Sequence, residues 1–289
     1  VKDSREAKTG TIIREDTAEN SGVSSHYVID IQGKNAFLKF ESGTVRNNSG
    51  NTQGKGASLV RVGDDSVSAW PQLTIAGGTF TQDNFIVIKV DRGTFYLTGG
   101  TLNSKNDYAV ENWSTATIKG GTVNGTVAAW TYSGGQNSNL SISDNGIVNG
   151  DVASVSYDKA EGKLAKVSIT GGIVTGTLGT YTYDSNSGKS DATTDATKAT
   201  IAVTGGTFKE DPTKYVVEDS GVTKNTDGTY GVAKAYLAKV GGTSYYTMDE
   251  AFKAQTASGE AIVLLRDYTT GSTFNSGSID RTVDLNGHT

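Results

Sequence analysis

The chain has no cysteine, only two prolines, one methionine and two histidines among its 289 residues. Without cysteine there is no disulfide scaffold, zinc finger, iron–sulfur cluster or thiol nucleophile. His26 and His288 are too few for a mechanism that uses several histidines. No apolar run approaches the ~18 residues needed to span a bilayer. We therefore expect no cofactor, no metal site and no membrane insertion.

Charge and proline usage exclude two further classes. The formal net charge is −5 and the pI about 5.1, so the chain lacks the basic surface that nucleic acid requires. Glycine is abundant instead, with 37 residues. Because proline is scarce and glycine has no three-residue period, the abundance does not indicate collagen.

One short phrase recurs along the chain and organises it. Two β-branched or other apolar positions precede a Gly-Gly pair, and Thr-Val, Thr-Leu or Thr-Phe follows, as in Thr74–Phe80, Leu97–Leu102 and Ile118–Val123. Seven copies, two of them weaker, have their second glycine at these anchor positions: Gly43, Gly78, Gly100, Gly121, Gly146, Gly172 and Gly206. Successive anchors lie 35, 22, 21, 25, 26 and 34 residues apart.

The repeat predicts a parallel β-helix. Short β-branched segments bounded by glycine and asparagine indicate strands and corners, and no helix of 10–15 residues fits between them. A sandwich or propeller of hairpins is the rival, but it has no reason to keep one glycine corner at a fixed offset. Stacked coils do, since equivalent residues repeat at about 4.8 Å. We expect an all-β, right-handed solenoid with end caps over residues 1–232.

Unequal intervals locate the expected loops and caps. The two long intervals contain the polar segments Arg46–Gly56 and Asp184–Thr200, which we expect to bulge from one coil into solvent. Residues 1–20 can cover one open end of the solenoid. Asp211 followed by Pro212 predicts a short helical turn near the other end.

After Phe208 the pattern changes. Asp227-Gly228 between two β-like arms predicts a hairpin over Val222–Val232, in preference to a calcium loop, because the later glutamate of such a loop is missing. Thr247 to Glu250 form a capping box for a helix over Asp249–Ala257, and Ala261–Leu265 follows as a buried strand. Residues 233–289 are therefore expected to form a small α+β unit, strand–helix–strand, leading into a next β-helix.

The order of these motifs carries a resemblance. Gly-Gly-Thr-Phe is followed by Asp211–Val216, Asn225–Tyr230, Met248–Phe252, Val263–Asp267 and Val283–His288. This order looks like the repeat-rich cell-surface or secreted proteins of Gram-positive bacteria, in which pectate-lyase-like β-helices are strung in tandem. The resemblance implies a secreted or cell-surface, adhesin-like role, with other domains of the same polypeptide as neighbours. It implies no particular activity.

Many β-helices cleave polysaccharides, a reaction that requires acidic and basic side chains placed close together. The local candidates are Arg61 with Asp64-Asp65, and Lys89 with Asp91-Arg92. Neither has the partners that a lyase or hydrolase needs, and we interpret them as turn and surface residues. We assign no catalytic residue. A polysaccharide lyase or hydrolase remains an alternative, because carboxylates distant in sequence can converge across coils.

Aromatic residues give the sharper functional signal. Counted from the anchor glycines, Trp130, Val155 and Tyr181 fall at +9, and three tyrosines fall at +11, namely Tyr132, Tyr157 and Tyr183. These side chains should stack on one face of successive strands. Facing outward, the five aromatic residues would form a binding strip for a host or environmental glycan or a surface protein; facing inward, they would be a core ladder. Trp70 and Trp113 lie outside the register and are expected only to be buried near coil ends.

These observations predict an extracellular, non-catalytic surface module that is adhesin-like and binds through the aromatic strip. A purely structural stalk is the first alternative, and a polysaccharide-active enzyme is the second.

Overall fold

The computed structural model describes residues 1–14, 27–47, 58–64, 70–83, 85–132, 134–256, 260–270, 273 and 280–289. In these ranges the chain is all-β apart from a 3₁₀ turn at Thr213–Tyr215 and one α-helix, α1, at Met248–Ala254. Neither helical segment in the described ranges has the length and apolarity to cross a bilayer.

Two sheets account for the strands. Eighteen strands form the first sheet: β1 Thr11–Arg14, β2 Ile29–Ile31, β3 Phe37–Phe40, β4 Thr44–Asn47, β5 Val60–Val62, β6 Gln72–Gln82, β7 Ile88–Val90, β8 Thr94–Asn112, β9 Thr115–Trp130, β10 Ser138–Ile142, β11 Ile147–Asn149, β12 Val152–Tyr157, β13 Ala165–Val174, β14 Leu178–Asp184, β15 Lys189–Ala192, β16 Ala199–Phe208, β17 Ser220–Lys224 and β18 Tyr230–Lys234. Four form the second: β19 Ala238–Val240, β20 Thr243–Tyr245, β21 Ala261–Leu264 and β22 Thr282–Asp284.

Strands of one repeat pair in parallel with their counterparts in the next. β6 pairs with β8, β8 with β9, β9 with β10, β10 with β13 and β13 with β16, always in parallel. One line of register partners runs through six repeats: Leu73, Phe95, Ala116, Leu140, Val167 and Ile201. The parallel stacking predicted from the repeat is confirmed, and the hairpin-linked rival is wrong for these strands.

The anchor glycines lie against one another at the corners. Gly100 has φ +83°, and a Cβ there would lie 2.7 Å from the Gly78 carbonyl oxygen. Gly121 has φ +75° and stands in the same relation to Gly100, also at 2.7 Å. Both the left-handed backbone and the close approach exclude a side chain. In the weaker fifth copy the positive φ shifts to Asp144, at +51°.

Alternation of the strand residues builds a core inside the stack. Its largest fully buried side chains include Phe40, Phe80 and Phe95, and the rings of Phe40 and Phe80 meet edge to face at 4.8 Å.

On the other side of these strands the amides of Asn103, Asn124 and Asn149 form a ladder. Asn124 donates to Asn103 at 2.8 Å and accepts from Asn149 at 2.9 Å.

The structure of the two ends of the sheet and of one loop agrees in part with the predictions from the sequence. β1 adds in parallel to β4, so residues 1–14 extend one end; residues 15–20 lie outside the described ranges, as does most of the Arg46–Gly56 loop. The Asp184–Thr200 segment does protrude, but as a hairpin: β15 pairs antiparallel with β14, and its four residues are exposed. At the other end the predicted β17–β18 hairpin is confirmed.

The second unit contains the predicted capping box. Thr247 accepts from the Glu250 N–H, and Glu250 reaches back to the Thr247 N–H. The helix ends at Ala254 and not at Ala257, because Gln255 turns to an extended backbone. An unforeseen hairpin, β19–β20, precedes the helix, and β18 continues past residue 232 to Lys234.

Candidate functional site

Seven strand segments lie side by side and present one outer face. They are β2, β5, β7, the ends of β8 and β9, β12 and β14, all paired in parallel. One row of residues points into the core: Ile29, Val60, Ile88, Val110, Val127, Val152 and Leu178. The next residue on each strand points outward: Asp30, Arg61, Lys89, Glu111, Ala128, Ala153 and Gly179. We call this surface the outer face.

The predicted aromatic register is correct over most of its length. Val155 pairs with Trp130 on one side and with Tyr181 on the other, and Tyr157 pairs with Tyr183. Their parity is opposite to that of the core-facing Val127 and Val152, so these rings lie on the outer face. They pack in a small cluster separate from the main core.

Small residues beneath the rings hold them in place. Ala128, Ala153 and Val155 are buried, and Trp130, Tyr181 and Tyr183 pack over them. Each of these rings is half-buried. Tyr181 also covers its own strand: a Cβ added at Gly179 would overlap the Tyr181 hydroxyl and ring carbons. The missing side chain at Gly179 is therefore what allows this ring to lie on the backbone.

The rings contact one another across coils. Trp130 meets Tyr183 edge to face at 5.3 Å, and Tyr183 stacks with Tyr157 at 5.8 Å and 19°. Tyr108 also meets Trp130 edge to face, with the ring centroids 6.2 Å apart. Tyr132 behaves differently, because it stacks on Trp113 of the preceding coil at 4.5 Å and 17°. We call these seven residues, the five predicted ones with Tyr108 and Trp113, the aromatic patch.

The predictions for the other two tryptophans were wrong. Trp113 is half-buried on the outer face and belongs to the aromatic patch. Trp70 is 48% exposed, and its indole N–H donates to Thr94 Oγ1 at 3.3 Å on a different side of the sheet. Trp113 does not fall nine residues after its anchor Gly100, as Trp130 does after Gly121, because the strand pairing shifts register between Asn103 and Val110. Counted from the core-facing valine of its own strand, Trp113 falls three residues after Val110, as Trp130 does after Val127.

Trp113 acts as a support for Tyr132. Tyr132 covers one side of the indole, and the Lys89 ammonium lies 3.7 Å from the ring centroid. A stacked ring and a cation this close must occupy opposite sides. The indole N–H donates to Glu111 Oε1 at 2.6 Å. With both sides covered, Trp113 offers no open face to a ligand.

An ion-pair network adjoins the aromatic patch. Arg61 binds Asp30 through two hydrogen bonds of 3.0 and 2.9 Å, and lies 3.4 Å from Asp64. Asp91 lies 4.0 Å from Arg61 and 3.6 Å from Lys89. The two charge groups that the sequence suggested separately therefore meet here, joined by strand pairing between β5 and β7. Arg92 follows in the turn beside Gly63, and Asp65 lies outside the described residues.

Burial perturbs the acids near the rings. It raises the pKa of Glu111 above its ordinary value, an effect that Lys89 partly offsets. Burial also raises the pKa of Asp107, and it raises the pKa of Tyr108 to about 12 with help from the Glu111 charge. No group of three or more histidine, aspartate or glutamate side chains in the described ranges is arranged to hold a metal ion.

Comparison with protein-family models, with curated proteins and with solved structures finds no match for this chain.

Proposed function

We propose that this chain is an extracellular, non-catalytic, adhesin-like module that binds glycan at the aromatic patch. One observation carries the proposal: half-buried rings of Trp130, Tyr181 and Tyr183 lie on Ala128, Ala153 and Gly179, outside the main core. Half-buried rings that are fixed by the residues beneath them suit the apolar faces of sugars. Because these rings are already held in place, binding a ligand would cost little side-chain conformational entropy.

The scaffold we propose is a right-handed parallel β-helix. Support comes from the repeat-to-repeat parallel register and from corner glycines in direct contact. A tandem, secreted or cell-surface protein of Gram-positive bacteria is the setting that the sequence resemblance suggests, with other domains of the same polypeptide beside this one. Such display would allow a weak site to act through avidity.

The ring arrangement constrains how a glycan would lie. Adjacent coils place rings at the strand spacing of about 4.8 Å, which is closer than successive sugars in a chain. A glycan would therefore cross the row of rings and engage two or three of them, and it would not follow the row ring by ring from coil to coil. So few contacts give a Kd of roughly 0.1–1 mM for one module.

A stalk without ligand is the alternative that the ring contacts favour, because the same contacts stabilise the stack. Edge-to-face and stacked pairs contribute about 0.5–1.5 kcal/mol each beyond burial. An enzyme is less well supported. Asp30, Asp64 and Asp91 are all engaged by Arg61 or Lys89, which leaves no catalytic pair in that network.

The test is a glycan array followed by titration of hits against wild type, Trp130→Ala and Tyr181→Ala. We expect both variants to lose binding at least about fivefold, equivalent to ~1 kcal/mol. Trp70→Ala is the matched control, since it removes an exposed tryptophan from another surface. Equal binding by all four proteins, or no hit in any of them, would favour the stalk.

A further inference from the structure

We infer that the glycan bound at the aromatic patch carries no acidic groups; this rests on the proposed function. The observation behind it is the charge along the outer face. The carboxylates nearest the rings are Asp91, Asp107 and Glu111, and Lys89 lies among them, so these four side chains carry a formal charge of −2. Asp30, Arg61 and Asp64 continue the charged surface onto β2 and β5, farther from the rings.

Both cations, Arg61 and Lys89, already have partners within the protein. Arg61 makes its two-pronged contact with Asp30, lies 4.4 Å from the centre of the Tyr27 ring and is only 15% exposed. Lys89 is 19% exposed and held between Asp91 and the indole of Trp113. To bind a uronate or sulfate, either cation would first have to abandon an existing partner. That exchange yields little net free energy.

The far edge of the patch offers no compensating charge. The lysines at that edge, Lys159 and Lys189, each have an aspartate beside them. Asp158 precedes Lys159 in the chain, and Asp184 pairs with Lys189 across the β14–β15 hairpin. An anionic sugar would thus meet like charges on one side and balanced charges on the other. Like-charge contacts across an interface disfavour the wrong partner, whereas an uncharged sugar meets no such cost.

The experiment compares neutral and acidic probes on the same protein. Cellohexaose, mannohexaose and hexameric N-acetylglucosamine are the neutral probes, and hexagalacturonate and a heparin hexasaccharide are the acidic ones. We expect binding only among the neutral probes. Their Kd should change less than about twofold between 50 and 500 mM NaCl, because no ion pair is formed with the ligand.

A gain of function provides the second readout. In Asp30→Asn combined with Asp91→Asn, Arg61 and Lys89 lose their main counter-charges, and hexagalacturonate should gain at least about fivefold in affinity. Acidic probes that bind the wild type best, and lose that binding in Trp130→Ala, would overturn the charge inference and leave the proposed site intact. Loss of binding to every probe class would instead count against the proposed function itself.

Discussion

The ring of Tyr181 lies over Gly179, two residues earlier on the same strand, in space that any other side chain would fill. Gly179 follows Ala128 and Ala153 in one outward row of register partners. These small residues form the floor on which the aromatic patch rests. The shape of this surface therefore depends on the small size of the residues beneath the rings as well as on the rings themselves.

Gly179→Ala should displace Tyr181 without unfolding the sheet. The added methyl group overlaps the ring, whereas the backbone at Gly179 is not left-handed. We expect the free energy of unfolding to stay within about 1 kcal/mol of wild type, and glycan binding to fall about fivefold. Near-UV circular dichroism and titration are the measurements. Gly242→Ala, where a methyl group meets open space, is the control; equal binding by both variants would contradict the role given to Gly179.

The asparagine ladder should stabilise the stack in proportion to the bonds each member makes. Asn124 is the middle member and bonds both neighbours, whereas Asn149 donates to Asn124 alone within the ladder and is exposed. Asn124→Ala should cost about 1–3 kcal/mol, and Asn149→Ala about half as much. Chemical denaturation of both variants tests this. Equal losses would show that the amides do not act as a ladder.

Glu111 should make stability depend on pH. Its folded-state pKa is raised by burial, so its contribution to stability is present below its ordinary pKa of 4.5 and is lost as pH rises through the folded value. Glu111→Gln avoids that loss and keeps an acceptor for the Trp113 N–H. The variant's melting temperature relative to wild type should therefore rise between about pH 4 and pH 7.

Glu41→Gln is the control with the opposite sign. Lys39 lowers the pKa of Glu41, so wild type should gain stability relative to this variant as pH rises from the lowered folded value to just above the ordinary 4.5, and the difference should stay flat at higher pH. A Glu111→Gln difference that is flat with pH, or that follows the Glu41→Gln difference, would show that the charge on Glu111 is not disfavoured in the folded protein.

Glu218 should couple the second unit to the first. Its side chain accepts from the Met248 N–H at the start of α1 at 2.7 Å, and its carbonyl accepts from Arg266. Glu218→Ala should lower the stability of the second unit by about 0.5–2 kcal/mol, the range for a lost helix cap. Glu218→Gln retains an acceptor and should lose less. Hydrogen exchange at α1 measures both, and unchanged protection in Glu218→Ala would contradict the coupling.

Local signals in the sequence predicted the regular parts of the structure well. The Gly-Gly corners required backbone that only glycine adopts easily, so Gly100 and Gly121 marked equivalent points in successive repeats. The capping box at Thr247 and the turn at Asp227-Gly228 depend on neighbouring residues alone, and both were confirmed. The start of α1 was therefore predicted more closely than its end.

The parts that were missed depend on register between distant strands. Trp113 was excluded because register shifts before Val110 break the count from Gly100. Arg61 and Asp91 belong to different repeats, and pairing of β5 with β7 is what brings them within 4.0 Å. Trp70 was expected to be buried, yet about half of its surface is exposed.

The sequence by itself determined that this chain stacks short strands in parallel, where it turns, and which aromatic residues share a row, because a repeated local pattern gives each copy the same environment. Only the tertiary structure decided that the rings of Trp130 and Tyr181 lie outside the core. Strand parity alone left that open, since a corner can reverse it. The packing of those rings on Ala128 and Gly179, and the meeting of Lys89 with Trp113, come from contacts between coils that no single repeat encodes.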